Sequence, residues 1–591
     1  MAESGPSVLS SRLASLNPFS RPKSKTDGDD LGEKIDSSTV AGGGHGSRRS
    51  AITRDQLRVS HALRSFLVHE NVLSKNDAGL HDLGHLTDPL RALLGKPHIH
   101  VPSDLTDRSH PLPEYFISSS HNTYLMAHQL YGTSSAKAYE IALNTGSRCV
   151  EIDAWDDEDA EDEPKVTHGY TLVSRISFRS VCETIRDAVD REAALSASGS
   201  GYRTSPVLVS LENHCGNHGQ RRLVEIMKEV WDDRLLSKAV RGKGHREQNG
   251  SGDHVLLEEL GSKIVVIVEY HFPTEVEADD HSSSTDDEVD EDDEARQARK
   301  AYKEKKKAVP ATTIIPELAE LGVYAQSVKP ADNSWFGEVG LKNRPHHHLI
   351  NISETALRAH MPAEIGKIAQ HNAHHLMRVY PKGTRISSNN LNPVIFWGLG
   401  AQICALNWQT FGAGLQLNEA LFGGTEGYVL KPAALRAGGS GKLTTGPKKR
   451  LRLHVAGASD VPLPEGRQAS DIKPYLSCTL IRPDDQGQNP AKRKTALYKH
   501  HKLGFLHDGE NPAATDPVWE ETLEWEYEDN ELVFLRMLIK SDDSYSRNPV
   551  FAVAAVRILY VAAGWSFIRM LDLRGRETTC SLLVRFEVED V

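Results

Sequence analysis

A histidine, an amide and two carboxylates follow short apolar runs in the first third of the chain. His121 and Asn122 follow the run Tyr115–Ile117, and Glu151 and Asp153 lie two residues apart on the next apolar run. Side chains two residues apart on a strand point to the same face. Oxygen ligands at strand ends could bind a hard cation such as Ca²⁺, with the imidazole beside them as an acid–base group.

The segments that must position these residues alternate between strand and helix patterns. Residues 206–214 and 263–270 are continuous apolar runs typical of buried strands, and the first ends near Glu212. The amphipathic segment 177–189 predicts a helix, and His168 lies in or just after a short strand. This alternation predicts a parallel α/β sheet or barrel.

The alternation resumes after a charged interruption. Residues 323–328, 376–381 and 427–432 are strand-like, and Ser353 begins a predicted helix that continues to about residue 369. The two stretches together offer about eight strand candidates, the number that suits a (β/α)₈ barrel. In such a barrel the active site lies at the carboxyl ends of the strands.

Composition limits the class of protein. The chain has 591 residues, enough for several domains, and a formal net charge of −12, which argues against a general nucleic-acid binder. Its six cysteines are scattered, so we expect buried thiols without disulfides or a zinc site. The N-terminus has no secretory signal. Residues 386–418 are uncharged but rich in Asn and Gln, which predicts a soluble interior instead of a lipid-exposed helix.

Shifts in composition predict the domain organisation. The acidic stretch 275–294 followed by the basic stretch 296–307 predicts a solvated linker, or an anionic plug near a catalytic mouth. Seven short alternating runs after residue 450 predict an antiparallel β-sandwich. The predicted segments are a disordered tail (1–50), a short helical, EF-hand-like lead-in without a calcium loop (51–110), two barrel halves (111–272 and 313–435), linkers (273–312 and 436–449) and the sandwich domain (450–591).

Acidic residues between strands of the sandwich predict a second calcium site. Asp471 and the pair Asp542 and Asp543 lie between predicted strands. The acidic set is thinner than a site for several calcium ions needs. The sequence therefore leaves open a calcium-dependent membrane clamp and a purely structural sandwich.

The motifs resemble those of a known family. SSSHNTYL, CVEIDAWD, HGYTL and VSLENHCG resemble the X region of eukaryotic phosphoinositide-specific phospholipase C, and HNAHHLMRVYP, ALNWQT and GGTEGYVLKP resemble its Y region. The strands around DPVWEETLEW resemble the C2 domain of that family, in a delta-like or fungal arrangement. The resemblance implies a split (β/α)₈ TIM-like barrel, with X and Y halves around the acidic insertion, followed by a C2 domain.

The resemblance also implies a reaction and a cofactor. The enzyme would cleave a phosphoinositide into diacylglycerol and a soluble inositol phosphate. Calcium would be bound by Asn122, Glu151, Asp153 and Glu212. Such a reaction needs a base for the inositol 2-hydroxyl and an acid for the leaving oxygen. Glu151 or Glu212 is the candidate base. The family implies that His121 stabilises the pentacovalent phosphoryl group and that His168 serves as general acid and then as base.

Phosphate recognition departs from the family pattern. Lysines of the family are replaced here by Ile267 and Glu269, and a family serine corresponds to Asn351. Arg378 and Tyr380 match the family and could grip a ring phosphate and stack on the inositol ring. We therefore expect a weaker preference for the 4,5-bisphosphate over less phosphorylated lipids. Lys263 could compensate if its side chain points into the site.

Other histidines form a run at 346–348, with further histidines at 371, 374 and 375. A histidine run can indicate a transition-metal site. The flanking sequence supplies no further ligand set, so we interpret these residues as surface or loop histidines.

The sequence thus predicts a calcium-dependent phosphoinositide phospholipase C, cytoplasmic and peripheral at the inner face of the plasma membrane. Its expected partners are phosphoinositides and anionic membranes, contacted by the C2 domain and the barrel rim, without nucleic acid; protein activators cannot be identified. Two alternatives remain: a catalytically weak phosphoinositide- or inositol-phosphate-binding protein, and a C2-based membrane adaptor with a scaffold barrel.

Overall fold

The computed structural model describes most of the chain from residue 52 onward. The predicted tail (1–50), the whole of the predicted linker 273–312 and Asp543 lie outside the described residues. The described residues are 52–53, 56–82, 84–126, 129, 133–169, 174–242, 254–269, 313–330, 333–337, 341, 345–383, 385, 388–444, 446–463, 466–485, 490–501, 510–542 and 550–591.

Eight parallel strands form a closed barrel. Each strand pairs in parallel with the next along the chain, and β8 pairs with β1. A parallel bridge between Ser119 and Cys149 joins the first two strands and closes the ring. The strands are β1 (Tyr115–Ile117), β2 (Cys149–Trp155), β3 (Val207–Asn213), β4 (Ile264–Glu269), β5 (Gln326–Val328), β6 (His348–Ser353), β7 (Leu376–Tyr380) and β8 (Ile403–Cys404).

Short strands extend the barrel. Tyr428–Leu430 pairs antiparallel with β1, and Ser120–His121 pairs in parallel with Leu406–Asn407. Lys165–Val166 and Ile176–Ser177 continue the sheet beyond β2. The predicted (β/α)₈ TIM-like barrel is confirmed.

After the two N-terminal helices, the helices cover the barrel or lie at its ends. In the longest barrel helix, Phe178, Val181, Cys182 and Ile185 are buried, the spacing of one helical face. The helices are α1 (His61–His69), α2 (Asp88–Leu94), α3 (Ala136–Asn144), α4 (Phe178–Ala197), α5 (Asn217–Trp231), α6 (Leu257–Leu260), α7 (Pro316–Ala319), α8 (Glu354–Arg358), α9 (Ile365–Asn372), α10 (Pro393–Trp397) and α11 (Ala413–Phe422).

The predicted helix over 353–369 is two helices. Ser353 caps α8 by accepting a hydrogen bond from the Ala356 amide, as predicted, but α8 ends at Arg358. Pro362 has no N–H to donate to a preceding carbonyl, and the chain becomes helical again only in α9.

The second domain is one antiparallel eight-stranded sheet folded into a sandwich. Its order is β11-β10-β13-β14-β15-β16-β9-β12. The sandwich confirms the predicted fold class, and seven strands agree with the sequence pattern. These strands are β9 (Lys448–Ser459), β10 (Pro474–Ile481), β11 (Ala491–Lys494), β12 (Val518–Glu528), β13 (Phe534–Ser541), β14 (Val550–Arg557), β15 (Ser566–Leu571) and β16 (Glu577–Asp590).

Contacts join the domains and the N-terminal helices. Arg536 Nε on β13 donates to Gln416 Oε1 on α11 over 2.7 Å in a buried position. Leu63 and Phe66 of α1 pack against Trp565 and Leu583 of the sandwich. The N-terminal helices therefore cover a face of the second domain.

The described residues also answer the predictions from composition. All six cysteines are buried and free. The amides of Gln402, Asn407 and Gln409 are buried and hydrogen-bonded, which confirms the predicted interior position of the uncharged segment. In the part of the chain that the structure describes, no helix has the length and apolarity needed to cross a membrane.

Candidate active site

Four carboxylates lie at the carboxyl-terminal end of the barrel. Asp153 on β2 and Glu212 on β3 are direct partners in the parallel ladder, and Glu151 lies two residues before Asp153. Glu269 ends β4 on the same side as Ile267, which belongs to the apolar interior of the barrel. The sequence prediction that strand ends bring these acids together agrees with the geometry.

Glu151 is held by hydrogen bonds on both oxygens. Its Oε2 accepts from the Asn122 backbone amide over 2.6 Å, and its Oε1 accepts from Arg378 Nη2 in a buried ion pair. Arg378 Nη1 also donates to Asn351 Oδ1 over 3.2 Å. A buried carboxylate that is fully paired in this way is fixed in position.

Asp153 is buried with one oxygen paired and one without a partner. Its Oδ2 accepts from the Tyr124 hydroxyl over 2.6 Å, and the same hydroxyl lies 3.2 Å from Asn122 Oδ1. Asp153 Oδ1 is buried and has no hydrogen-bond partner among the residues that the structure describes. Burial and the neighbouring carboxylates of Glu212 and Glu151 raise the pKa of Asp153 well above its usual value.

The Glu212 carboxylate is also repelled by neighbouring carboxylates. Burial, Glu151 and Glu269 raise the pKa of the Glu212 carboxyl. Acids that repel one another around an unpaired buried oxygen fit a site for a divalent cation. The cation would reduce the repulsion between the carboxylates and would give the buried oxygen a partner. Of the described residues, only Asp153, Glu212 and His214 offer three ligand atoms within 4.8 Å of one another. The chain's own residues therefore fit a bound metal ion at this mouth.

His121 follows β1 and is oriented by an asparagine. Its Nδ1 lies 2.8 Å from Asn407 Oδ1, and Asn407 Nδ2 donates to the Asn389 carbonyl, which fixes the amide orientation. His121 Nδ1 therefore carries the proton, and Nε2 presents a lone pair when the ring is neutral. Burial and the nearby Arg378 lower the pKa of His121 to about 4.

His168 is oriented in the same manner. Its Nδ1 donates to the Gln129 backbone carbonyl, so its Nε2 also carries the lone pair in the neutral ring. Burial lowers the pKa of His168 to about 4, and the nearby His121 contributes in the same direction. Both imidazoles are therefore neutral at pH 7 and able to accept a proton.

The predicted substrate-binding residues are divided between the two ends of the barrel. Arg378 and Asn351 lie inside the barrel next to Glu151, and Tyr380 ends β7 with the Arg378 guanidinium 6.0 Å from its ring centre. The prediction that Lys263 binds substrate is wrong. Lys263 precedes β4 at the opposite end, and its Nζ donates to the Asp233 carbonyl, so it cannot reach the site.

The acidic residues of the sandwich are arranged differently. Asp471 is exposed and accepts hydrogen bonds from the Gln468 amide over 2.9 Å and the Ser470 hydroxyl over 3.3 Å. Asp542 is exposed after β13. Neither is among the described residues that gather three metal-ligand atoms. A calcium site here remains a sequence prediction.

Several functional neighbours were missed from the sequence. His214 lies two residues beyond Glu212, and this same-side spacing could have identified it as a possible ligand. Tyr124, Asn407 and the Gln129 carbonyl orient site residues from loops or distant segments. No local sequence pattern marks such contacts.

Family comparisons agree with this geometry. Residues 108–270 match the family described as phosphatidylinositol-specific phospholipase C, X domain, and residues 318–434 match the corresponding Y domain. The matched segments contain every residue of the candidate site described above.

Similar proteins share most of this chain. The 1-phosphatidylinositol 4,5-bisphosphate phosphodiesterase delta-1 of Rattus norvegicus is 30% identical, over 82% of this chain and 61% of that protein. The delta-3 protein of Mus musculus is 33% identical, over 86% of this chain and 60% of that protein. The chain therefore spans about three fifths of the length of these relatives.

A solved structure shares the fold. The crystal structure of PLC21 from L. pealei superposes with a TM-score of 0.66 at 23% identity, covering 91% of this chain and 67% of that one. The agreement supports the same barrel and sandwich architecture.

Proposed function

The chain carries the X and Y domains of the phosphatidylinositol-specific phospholipase C family, and from this premise we propose that it hydrolyses phosphoinositides. The products would be diacylglycerol and a soluble inositol phosphate. One observation carries the proposal: two histidines, each held at Nδ1 by an oxygen of the chain, lie beside a carboxylate cluster that fits a cation.

The cation would be calcium. Asn122, Glu151, Asp153 and Glu212 would hold it, and oxygen donors suit this ion. When bound, calcium would lower the pKa of the inositol 2-hydroxyl and neutralise charge on the phosphoryl group. The unpartnered Asp153 Oδ1 is the observation that most supports a ligand role.

Glu212 is the better candidate for the general base. Both oxygens of Glu151 already accept hydrogen bonds, from Arg378 and from the Asn122 amide. In the metal-free protein, burial and the carboxylates of Glu151 and Glu269 raise the pKa of Glu212. Glu212 would therefore accept the proton of the 2-hydroxyl, and Glu151 would hold Arg378 and the metal site in position.

The two histidines would act on the phosphoryl group and on the leaving oxygen. Each must gain a proton at Nε2 before it can donate there, and the negative charge of a bound phosphodiester would raise the low pKa of both rings. Protonated His121 would donate to the phosphoryl oxygens. Protonated His168 would protonate the diacylglycerol oxygen, and neutral His168 would then deprotonate the water that opens a cyclic phosphate.

The charge of the mouth supports a preference for lightly phosphorylated headgroups. Ile267 is buried at 1% exposure in the apolar interior, where it offers no charge to a ring phosphate. Glu269 adds a negative charge close enough to raise the pKa of Glu212. Arg378 is already paired with Glu151. Additional ring phosphates would thus meet repulsion, so phosphatidylinositol and its monophosphate would be favoured over the bisphosphate.

The membrane contact would involve the barrel rim and the C2-like sandwich. We place the protein at the cytoplasmic face of the plasma membrane, where phosphoinositides are the expected partners.

The experiment measures release of soluble inositol phosphates from mixed vesicles that contain phosphatidylinositol, its 4-phosphate or its 4,5-bisphosphate. Wild type and His121→Ala are compared with calcium and with chelator. The proposal expects calcium-dependent release that His121→Ala abolishes. Vesicle binding without release from any of the lipids would instead favour the phosphoinositide-binding alternative.

A further inference from the structure

One glutamine contacts three parts of the candidate active site. Gln129 lies between β1 and α3 and is 7% exposed. Its side-chain oxygen Oε1 accepts from Asn122 Nδ2 over 2.8 Å, and its Nε2 donates to Ser388 Oγ over 2.9 Å. Its backbone carbonyl accepts from His168 Nδ1. The residue therefore joins a proposed calcium ligand, a proposed acid–base group and a loop of the second barrel half.

Asn122 can bind a cation in only one of the two orientations of its side-chain amide. Its backbone is already fixed, because its N–H donates to Glu151 Oε2 over 2.6 Å. The remaining freedom is a half-turn of the amide group, which exchanges Oδ1 and Nδ2. Oδ1 is a ligand for calcium, whereas Nδ2 carries two hydrogens and offers no lone pair. The orientation of the amide therefore decides whether Asn122 is a ligand.

The neighbour on the carboxylate side does not select the ligand orientation. The Tyr124 hydroxyl lies 3.2 Å from Asn122 Oδ1 and 2.6 Å from Asp153 Oδ2. The hydroxyl has one hydrogen, and an ionised Asp153 can only accept it. The hydroxyl then faces Asn122 with a lone pair, which suits Nδ2 better than Oδ1. Tyr124 alone would thus favour the orientation that excludes the cation.

Gln129 opposes the preference of Tyr124. Its Oε1 carries no hydrogen, so it pairs with Asn122 Nδ2 and not with Asn122 Oδ1. Ser388 Oγ accepts from Gln129 Nε2, which keeps Oε1 on the side of Asn122. Because Nδ2 is held by the glutamine, Asn122 Oδ1 is left facing the carboxylate cluster.

The loop that holds Gln129 is itself anchored. Ser388 is 0% exposed and has a φ of 56°, in the left-handed region that few residues other than glycine adopt. Asn390 Oδ1 accepts from the Asn407 amide over 2.6 Å, and Asn390 Nδ2 donates to the Asn407 carbonyl over 2.9 Å. Asn407 in turn orients His121. One loop of the second barrel half therefore supports both Gln129 and the partner of His121.

We propose that Gln129 is a positioning residue that keeps Asn122 Oδ1 directed at the calcium site. The inference rests on the proposed function, with calcium held at the barrel mouth. Loss of a residue that orients a metal ligand typically lowers metal affinity about 10–100-fold. The side chain of Gln129 contacts Asn122, whereas its backbone carbonyl holds His168. A side-chain substitution should therefore change calcium affinity and leave the imidazole in place.

The first test is calcium binding to the full chain without lipid, measured by isothermal titration calorimetry. Gln129→Met has a similar size but no oxygen to accept from Asn122, so it should bind calcium about 10–100-fold more weakly than wild type. Gln129→Glu supplies an oxygen that can only accept and should bind calcium at least as tightly as wild type. Gln416→Met removes a buried glutamine of α11 whose side chain contacts the sandwich, and it should bind calcium like wild type.

A second comparison separates a positioning role from a general loss of structure. In Asn122→Ala the ligand is absent, so the addition of Gln129→Met should weaken calcium binding no further. In the lipid assay, the calcium midpoint of Gln129→Met should shift by the same factor as its affinity. The fraction of cyclic product should keep its wild-type value, because the backbone carbonyl still holds His168. A further loss of affinity in the double variant, or a changed product ratio, would contradict the proposal.

A calcium-soaked wild-type crystal gives a result that does not depend on the variants folding. Calcium bound to Asn122 Oδ1, with Nδ2 still on Gln129 Oε1, supports the proposal. Calcium bound without Asn122 Oδ1 overturns it. If Gln129→Met binds calcium as tightly as wild type and wild type releases inositol phosphates, the proposal fails and the proposed function stands. A wild type that neither binds calcium nor releases inositol phosphates would overturn both.

Discussion

The barrel mouth and the rim of the sandwich both carry acidic residues that the sequence predicts to bind calcium. The carboxylates of the two regions differ in burial and in hydrogen bonding. In the mouth, Asp153 is buried, keeps an oxygen without a partner and is repelled by Glu212 and Glu151. At the sandwich rim, Asp471 is exposed and its carboxylate already accepts local hydrogen bonds.

This difference teaches that burial and mutual repulsion, more than the number of acids, make a carboxylate cluster ready for a cation. An exposed acid is solvated by water and loses little when no ion is present. A buried, crowded acid has no such compensation. We therefore expect catalysis and calcium dependence to originate in the mouth, with a minor contribution from the rim.

The largest effect should come from the mouth histidines. His168→Ala should lower turnover by about 10²–10⁴-fold, the usual contribution of a general acid–base group. Since His168 would also act on the cyclic intermediate, the remaining product should be enriched in cyclic inositol phosphate, which chromatography of the products measures. His218→Ala removes an exposed histidine on α5 and should leave both turnover and product ratio unchanged. Normal turnover of His168→Ala would show that His168 is not the general acid–base group.

A change of charge at the mouth should alter lipid preference. Glu269→Lys replaces repulsion by attraction and should raise turnover of the 4,5-bisphosphate relative to phosphatidylinositol by about tenfold, as a charged hydrogen bond contributes on the order of 1.5–3 kcal/mol. Glu258→Lys makes the same charge change at an exposed position on α6, near the other end of the barrel. If both variants raise the turnover of the 4,5-bisphosphate relative to phosphatidylinositol equally, the net charge of the protein, and not the charge at the mouth, sets the lipid preference.

Stability should reveal the repulsion in the mouth. The pKa of Asp153 is raised in the folded state, so ionisation above the ordinary value of 3.8 destabilises the fold. The low pKa values of His121 and His168, about 4 against 6.5, act in the opposite direction but only below pH 6.5. In chelator, Asp153→Asn should therefore melt at a higher temperature than wild type, with a larger gap at pH 7 than at pH 4, close to the ordinary value of 3.8.

The contradicting outcome for this prediction is equally definite. If Asp153→Asn melts below wild type at both pH values in chelator, the buried carboxylate stabilises the fold and the repulsion argument fails. Thermal unfolding followed by circular dichroism is sufficient to decide.

The smallest effect should come from the sandwich rim. Asp471→Asn combined with Asp542→Asn should change calcium-dependent vesicle binding by less than about twofold, since exposed charges contribute weakly. Co-sedimentation with anionic vesicles, with and without calcium, measures this. A loss of calcium-dependent binding would establish the rim as a membrane clamp.

Periodicity predicted six of the eight barrel strands and seven sandwich strands, but not β6 or β8, and the predicted strand at 427–432 pairs antiparallel with β1 instead of joining the parallel ring. It missed β11 because Ala491–Lys494 is an exposed and mostly charged edge strand with no apolar alternation. The spacing of Glu151 and Asp153 also predicted that both carboxylates share one face, because strand geometry alone decides which way these side chains point. Glu212 was added to them by the family resemblance.

Other features depend on tertiary contacts that no local pattern encodes. The direction of Lys263 follows from its position before β4, and a shift of a few residues in the predicted strand start is enough to misplace it. The burial of His348 depends on α9, whose His371 lies against it, so the interpretation of His348 as a surface or loop histidine is wrong. The partner of His121, Asn407, is 286 residues away.

The measurement that tests the central claim most directly is the calcium dependence of inositol phosphate release for wild type, Asp153→Asn and Asp542→Asn. We predict that Asp153→Asn abolishes release or moves its midpoint to much higher calcium, and that the Asp542→Asn curve superposes on wild type. A normal curve for Asp153→Asn, with a shifted curve for Asp542→Asn, would contradict the assignment of the catalytic calcium to the barrel mouth.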